Sequence, residues 1–326
     1  MMFERAEFIE DAIHAKSSGA TLLAGGTSVV DLMQLGLEIP SKLTYLETLG
    51  LDFIEHQPNG AMVVGSLCHQ SRLAHDSGCA ERFPLLSEAI LSGASPQIRN
   101  MATVGGNLLQ RTRCSSFRDF ASPCNKRKPG SGCPALEAPA RGYAIFGRSE
   151  NCIATFPSDQ ATALVALHAS VTVRGRVGPR TIPLEQFFLL PGDTPHRDND
   201  LACDEVLLSI HVAAESANLN SAYVKIRDRQ SYVFAIASAA VALRIEQGRV
   251  TFASIVMGSV AARPWRATES ESAILNGPAT DETFEHAARL AIKGAHRVPE
   301  TEGKIRLTKA AVLEALYRAY RGGQSR

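Results

Sequence analysis

Between about Gln110 and Phe156 the sequence loses the periodicity that marks helices and strands elsewhere in it. The stretch RTRCSSFRDFASPCNKRKPGSGCPAL crowds Arg, Lys, Pro, Gly and Cys together. A structureless loop of that length is uncommon inside a compact domain, so it needs its own organiser, and a metal cluster is one. Cys114, Cys124, Cys133 and Cys152 all fall within it, separated by 9, 8 and 18 residues. Four thiolates suit a structural zinc or a [4Fe–4S] cluster, although this spacing fits neither the close-paired zinc template nor the ferredoxin run. Arg111, Arg113, Arg118, Lys126 and Arg127 would offset the charge of a thiolate cluster. The plainer reading is a solvated basic loop with free surface thiols.

The rest of the chain is ordinary globular sequence. Its 326 residues are 45% hydrophobic and 21% charged, enough for two domains with a sizeable core. Lys plus Arg is 34 against 33 for Asp plus Glu, and no basic stripe with interleaved aromatics appears. That balance argues against nucleic acid or an anionic membrane as partner. No apolar run is long enough to span a bilayer. The opening MMFERAEFIEDAIHAK lacks a signal-peptide core. A cytoplasmic location is the expectation, with folded co-export beside a signal-bearing partner as the periplasmic alternative. The seven cysteines are odd in number, in a chain too large to need disulfide staples, which points to a reduced compartment. Cys68, Cys79 and Cys203 read as ordinary small residues.

Local patterning predicts a helix from Ile9 to Lys16 closed by Gly19, a strand at Thr21–Ala24 and a helix from Val29 to Leu35. Ser28 with Asp31 would cap that second helix. A strand at Lys42–Leu46, a strand in MVVGSL and a helix near Phe83–Leu91 follow. After the irregular segment, ALVALHASVTVRG reads as a helix end leading into a strand. Residues 213–220 are small and polar, a plausible domain boundary. YVKIRDRQSYVFAIASAAVAL reads as helix or strand, then a hairpin turns at Gln247-Gly248, and Glu282 to Tyr320 is mostly helical.

Two glycine pairs carry the first chemical signal. Gly25-Gly26-Thr27-Ser28 brings backbone amides to a helix N-terminus, where glycine lacks the Cβ that would block a pyrophosphate. Gly105-Gly106-Asn107 offers the same from the other side, with the Asn107 amide added. Either pair alone reads equally as a tight turn, and neither is a Rossmann or P-loop signature. Asp159 is a helix N-cap or a carboxylate for a cofactor's hydroxyls; Lys225 is a solvated strand residue or pairs with a cofactor's polar edge. The nine histidines show no ligand spacing, and no nucleophile–base set is present. No catalytic residue is assigned, as expected where a redox cofactor carries the chemistry.

LLAGGTSVVDLM and ATVGGNLLQRTRC resemble the two FAD-contacting motifs of the xanthine dehydrogenase medium-subunit family, and YVKIRDRQSYVFAIASAAVAL resembles its C-terminal Lys-x-x-x-R segment. The three motifs stand in register over nearly the whole chain. RTRCSSFRD, SPCNKRKPGSGC and ENCIATFPSD are similar, more narrowly, to the flavin subunit of bacterial periplasmic aldehyde oxidoreductases. The flavin subunit of 4-hydroxybenzoyl-CoA reductase has a related insertion.

The resemblance implies an α+β fold of the PCMH/vanillyl-alcohol-oxidase FAD-binding type. FAD would lie between two α/β subdomains in residues 1–215, with a cysteine-rich insertion at about 110–156. A CO-dehydrogenase-flavoprotein-like domain would occupy 220–326. It makes Leu23, Ala24, Gly25, Gly26, Thr27 and Ser28 contacts of FAD, with Ala102, Thr103, Gly105, Gly106, Asn107 and Leu109 continuing the cradle. Ser158 and Asp159 would lie near the adenosine half, Leu190 and Lys225 near the flavin ring. Cys114, Cys124, Cys133 and Cys152 become ligands of a [4Fe–4S] cluster. The implied enzyme is a heterotrimer or larger. A molybdenum subunit oxidises substrate, and a [2Fe–2S] subunit relays electrons to FAD here for delivery to an external acceptor. A free-standing flavin reductase or oxidase, and a zinc-stapled binding module, are the alternatives from other classes.

Overall fold

The computed structural model describes residues 1–138 and 140–324. Pro139 of the expected insertion, and Ser325 and Arg326 at the end of the expected C-terminal domain, lie outside the described residues. Strands β1 (Met2–Arg5), β2 (Thr21–Leu23) and β3 (Lys42–Tyr45) form a parallel sheet in the order β1-β3-β2. Parallel neighbours need crossovers, which α1 (Ile9–Ser17) and α2 (Val29–Gln34) supply. Gly19 closes α1 at φ 83°, a left-handed position that glycine adopts without steric cost. The expected Ser28 cap on α2 is absent. Ser28 sits in the helical backbone region (φ −108°, ψ −46°) instead of the extended one that capping requires, and its side chain makes no cap bond. Asp31 instead binds Arg113 and Arg118.

The second sheet is antiparallel, in the order β4-β5-β8-β6-β7. Its first two strands are β4 (Ile54–His56) and β5 (Met62–Gly65). A run of helices then crosses its face: α3 (Gln70–Ala74), α4 (Ser77–Arg82), α5 (Pro84–Ser92), α6 (Pro96–Met101) and α7 (Val104–Leu108). Short α8 (Ser115–Arg118) opens the irregular segment, and α9 (Asp159–Ala166) follows it. The sheet is completed by β6 (Ser170–Gly175), β7 (Gly178–Pro183) and β8 (Val206–Val212), with α10 (Leu184–Phe187) between the last two in sequence. Every residue of α9 is buried, as its largely apolar sequence demands.

The third sheet, in the order β12-β11-β10-β9, is antiparallel: β9 (Asn220–Ile226), β10 (Ala237–Glu246), β11 (Arg249–Gly258) and β12 (Trp265–Arg266). The hairpin turns at Gln247 (φ 50°) and Gly248 (φ 74°), where expected. The helical tail is three helices, α11 (Thr268–Ile274), α12 (Asp281–Ala291) and α13 (Pro299–Gln324), with Gly294 in the left-handed region between the last two. The sheet is buried on both faces. Ala237, Ala239, Val241 and Leu243 of β10 join a core with α12 and α13, while Ala240 and Ala242 join the core containing α5 and α9. Side chains alternate across a strand, so one strand serves two cores.

Lys304 of α13 is 1% exposed, and its Nζ donates to the carbonyls of Tyr143 at 2.8 Å and Ser259 at 2.6 Å. It fastens α13 to the end of the irregular segment and to the loop after β11. Burial pushes its ammonium down from 10.5 to about 7. Between those two values the unfolded chain holds a proton that the folded chain has released. Stability therefore climbs as pH rises from about 7 towards 10.5 and levels off below about 7, where both states hold the proton. The full slope is about 1.4 kcal/mol per pH unit. In Lys304→Met this slope should flatten when denaturant midpoints are followed against pH; an unchanged slope would assign it to other groups.

Candidate functional site

Two chambers meet between the first sheet, α7 and the start of the third sheet. The smaller, about 320 Å³, is walled by Leu22, Leu46, Leu67, Leu109, Leu201 and Leu207, with Lys16 and Glu205 also on its lining. The larger, about 530 Å³, is more polar and is lined by Asp31, Arg113, Arg118, Asp159, Gln160, Tyr232 and Phe234. Thr27, Ser28 and Gly106 line both and form the waist between them.

Backbone chemistry at the waist is one-sided. Among the described residues, the N–H groups of Gly25, Gly26, Thr27 and Ser28 donate to no protein atom. A row of free amides ahead of a helix is an anion site. On the other lip the amides are taken: Val104 donates to Cys68 O, Gly105 to Ser66 O, Gly106 to Thr103 Oγ1 and Asn107 to Thr103 O. The second glycine pair is thus the first turn of α7 instead of an open turn with free amides. Its glycines are required by packing, since a Cβ on Gly105 would lie 2.8 Å from Ser66 Cβ. Asn107 Oδ1 accepts from the Ser158 hydroxyl, leaving the Asn107 Nδ2 hydrogens for a ligand. The first glycine pair has a packing role too: a Cβ on Gly25 would fall 1.8 Å from the Met101 carbonyl oxygen.

Asp159 reaches the larger chamber from the N-terminus of α9. Ser158, the residue before it, is the N-cap, accepting from Ala161 N–H at 2.9 Å. Asp159 Oδ1 accepts from Tyr223 Oη at 2.5 Å and its Oδ2 from Lys225 Nζ at 2.7 Å. Both members of this ion pair are buried, with side chains 9% and 4% exposed. Burial, reinforced by the neighbouring Asp159 charge, holds the Tyr223 phenol well above its usual range. Lys225 also donates to Ser92 O, at the C-terminal end of α5, where a cation suits the helix dipole.

The four cysteines of the irregular segment converge. Cys114, Cys124, Cys133 and Cys152 line one small cavity together with Phe117, Lys126 and Asn151. Cys124 and Cys152 are buried, and all four are free thiols. Burial raises the Cys152 thiol to about 11, opposed by the nearby Lys126 charge, and also raises Cys114. Among the described residues no three His, Cys, Asp or Glu side chains are placed to hold a single ion.

Residues 2–214 match the FAD binding domain in molybdopterin dehydrogenase, and residues 222–322 match the CO dehydrogenase flavoprotein C-terminal domain. The chain belongs to this family of molybdopterin-dehydrogenase flavoproteins. It is 40% identical over 304 residues to the FAD-binding subunit of aldehyde oxidoreductase from Escherichia coli (strain K12), covering 92% of each chain. To the carbon monoxide dehydrogenase medium chain of Hydrogenophaga pseudoflava it is 26% identical over 275 residues, covering 84% of this chain and 79% of that one. Carbon monoxide dehydrogenase from the same organism superposes with a TM-score of 0.77 at 24% identity, over 99% of this chain and 98% of that chain. Quinoline 2-oxidoreductase from Pseudomonas putida 86 gives 0.75 at 21%, over 99% and 97%. The expected α+β architecture is therefore the one found, and FAD is the cofactor of this flavoprotein.

Within the flavoprotein, Ala24 to Ser28, Thr103, Gly105, Gly106 and Leu109 line the smaller chamber, and Ala102, Asn107 and Asp159 line the larger one. Ser158 and Lys225 stand one hydrogen bond behind, on Asn107 and Asp159. Leu23 and Leu190 line neither chamber. Leu190 instead packs where a Cβ on Gly147 would fall, beside Trp265. Asp159 and Lys225, expected near opposite ends of the cofactor, are an ion pair at the larger chamber. Tyr232 and Phe234, in the loop between β9 and β10, and Leu201 before β8 were missed. Two aromatics in the otherwise polar RDRQSYVF were the available signal.

Asp159→Ala leaves Lys225 buried without its partner and should lower stability by about 3–5 kcal/mol in chemical denaturation. Gly25→Ala forces the first glycine turn off Met101 and should yield folded protein with little bound flavin; full flavin retention would show that the turn relocates freely.

Proposed function

We propose that this flavoprotein is the electron-transfer subunit of a heterotrimeric molybdenum-dependent aldehyde oxidoreductase and carries a [4Fe–4S] cluster beside its FAD. The observation that carries this is the convergence of Cys114, Cys124, Cys133 and Cys152 on one cavity, in a segment next to the larger chamber. Arg113, which lines that chamber, directly precedes Cys114 in the chain. The 40% identity to an aldehyde oxidoreductase FAD-binding subunit favours an aldehyde over the other substrates of the family's enzymes.

Residues fit the groups they would hold. The free amides from Gly25 to Ser28 take the FAD pyrophosphate. The leucine-walled chamber suits adenine. The larger chamber, with Asp159, Tyr232 and Phe234, suits the flavin ring. When bound, flavin supplies two-electron chemistry and the cluster a one-electron relay. In this reading electrons arrive from [2Fe–2S] clusters of a partner subunit and leave to an external acceptor. Substrate oxidation belongs, in this reading, to molybdenum in another subunit.

Cofactor content tests the reading. The chain purified without oxygen should release about one FAD and contain about four irons with matching sulfide and no zinc. Cys124→Ser should lose the iron and keep the FAD. Zinc in place of iron would reduce the segment to a staple, and absence of flavin from the folded, assembled protein would overturn the flavin assignment as well. Full turnover of Cys124→Ser with every acceptor would show that the cluster is no relay.

A further inference from the structure

The cysteine cavity has a charged wall that the four ligands do not account for. Lys126 lines the cavity with its side chain 3% exposed, two positions after Cys124. Its Nζ donates to Pro195 O at 2.7 Å and to Asp198 Oδ1 at 2.5 Å. Asp198 Oδ2 meets Arg111 Nε at 2.7 Å. The Arg111 guanidinium lies over the Phe117 ring, 4.9 Å from its centroid, and Phe117 is itself part of the cavity wall. One carboxylate is therefore shared by two cations, and the unit keeps one net positive charge. Lys126 is the charged member that lines the cavity, and its charge is felt at Cys152. An ammonium buried this deeply is costly to maintain, and an apolar side chain of the same length would fill the space without that penalty.

We propose that Lys126 and Asp198, with Arg111, set the reduction potential of the group held by the four cysteines, an inference resting on the cluster assignment above. Reduction of a [4Fe–4S] cluster adds one electron, forms and breaks no bond, and makes an anionic thiolate-bound group more negative. A fixed positive charge in the water-poor wall stabilises the reduced form and raises the midpoint potential. Asp198 opposes it from behind. The two side chains act with opposite sign, which a purely structural role does not produce. Lys126 and Asp198 are tuning residues; neither is assigned as a ligand or a catalytic group.

The test is a mediated redox titration of the assembled enzyme, purified without oxygen and read by low-temperature EPR. The signal followed is the one that Cys124→Ser removes, with mediators supplying the electron. Lys126→Met should lower the midpoint enough to change the reduced-to-oxidised ratio about tenfold at the parent's midpoint, roughly 59 mV for one electron. Asp198→Asn should raise it, and Lys126→Arg should stay near the parent. An unchanged midpoint in Lys126→Met, or shifts of the same sign in Lys126→Met and Asp198→Asn, overturns the proposal. Should Lys126→Met not retain its cluster, Asp198→Asn decides: a midpoint at or below the parent's overturns the proposal. A parent enzyme without any signal dependent on Cys124 overturns the cluster assignment itself, a result distinct from an unmoved potential.

Discussion

The Met101 carbonyl leaves room beside it for a glycine and nothing larger, and Gly25 occupies that place. Because the turn after β2 can lie flat on the end of α6, the two halves of the groove close to the width of a waist. The turn's own amides then have no protein acceptor within reach. The opposite lip is built the other way, with each amide from Val104 to Asn107 already bonded inside the protein. One lip presents unpaired amides and the other is held by its own bonds.

Three consecutive residues at the start of α9 hold the surroundings of the larger chamber. Successive side chains of a helix point about 100° apart, which follows from roughly 3.6 residues per turn. Ser158, just before the helix, binds Asn107 of α7. Asp159 binds Tyr223 and Lys225 of β9. Gln160 accepts from Gln70 of α3 at 2.8 Å and donates to Val104 O at 3.1 Å. A single helix end thus fixes elements from both sides of the groove. Burial of the whole helix explains why these polar groups are each paired: an unpaired one there would lose its hydration without compensation.

Much of this was legible in the sequence because it is local. Glycine pairs, the hairpin at Gln247-Gly248, the alternation of strands and helices and the clustered cysteines are all short-range signals. What was not legible depends on partners distant in sequence. Nothing near Ser28 reveals that Asp31 is drawn to Arg113 and Arg118, more than eighty residues away. Nothing near Gly105 reveals that Ser66 lies against it. Leu190 was placed by a motif that matched only in outline; it lines neither chamber, and Leu201 lines the smaller one. Position along a strand or loop is set by packing, and a loose motif carries little information about it.

The doubly buried third sheet bears on how the groove can open. Family boundaries divide the chain between residues 214 and 222, yet β10 contributes alternate alanines to the cores on either side of that division. A hinge at the boundary would have to pull Ala240 and Ala242 away from α5 and α9, exposing apolar surface. The boundary between the two family regions is therefore not a break in the packing. The rim of the larger chamber includes the loop bearing Tyr232 and Phe234, which are 58% and 46% exposed. On this chain the exposed rim of the larger chamber is a loop, and the wall behind it is packed core.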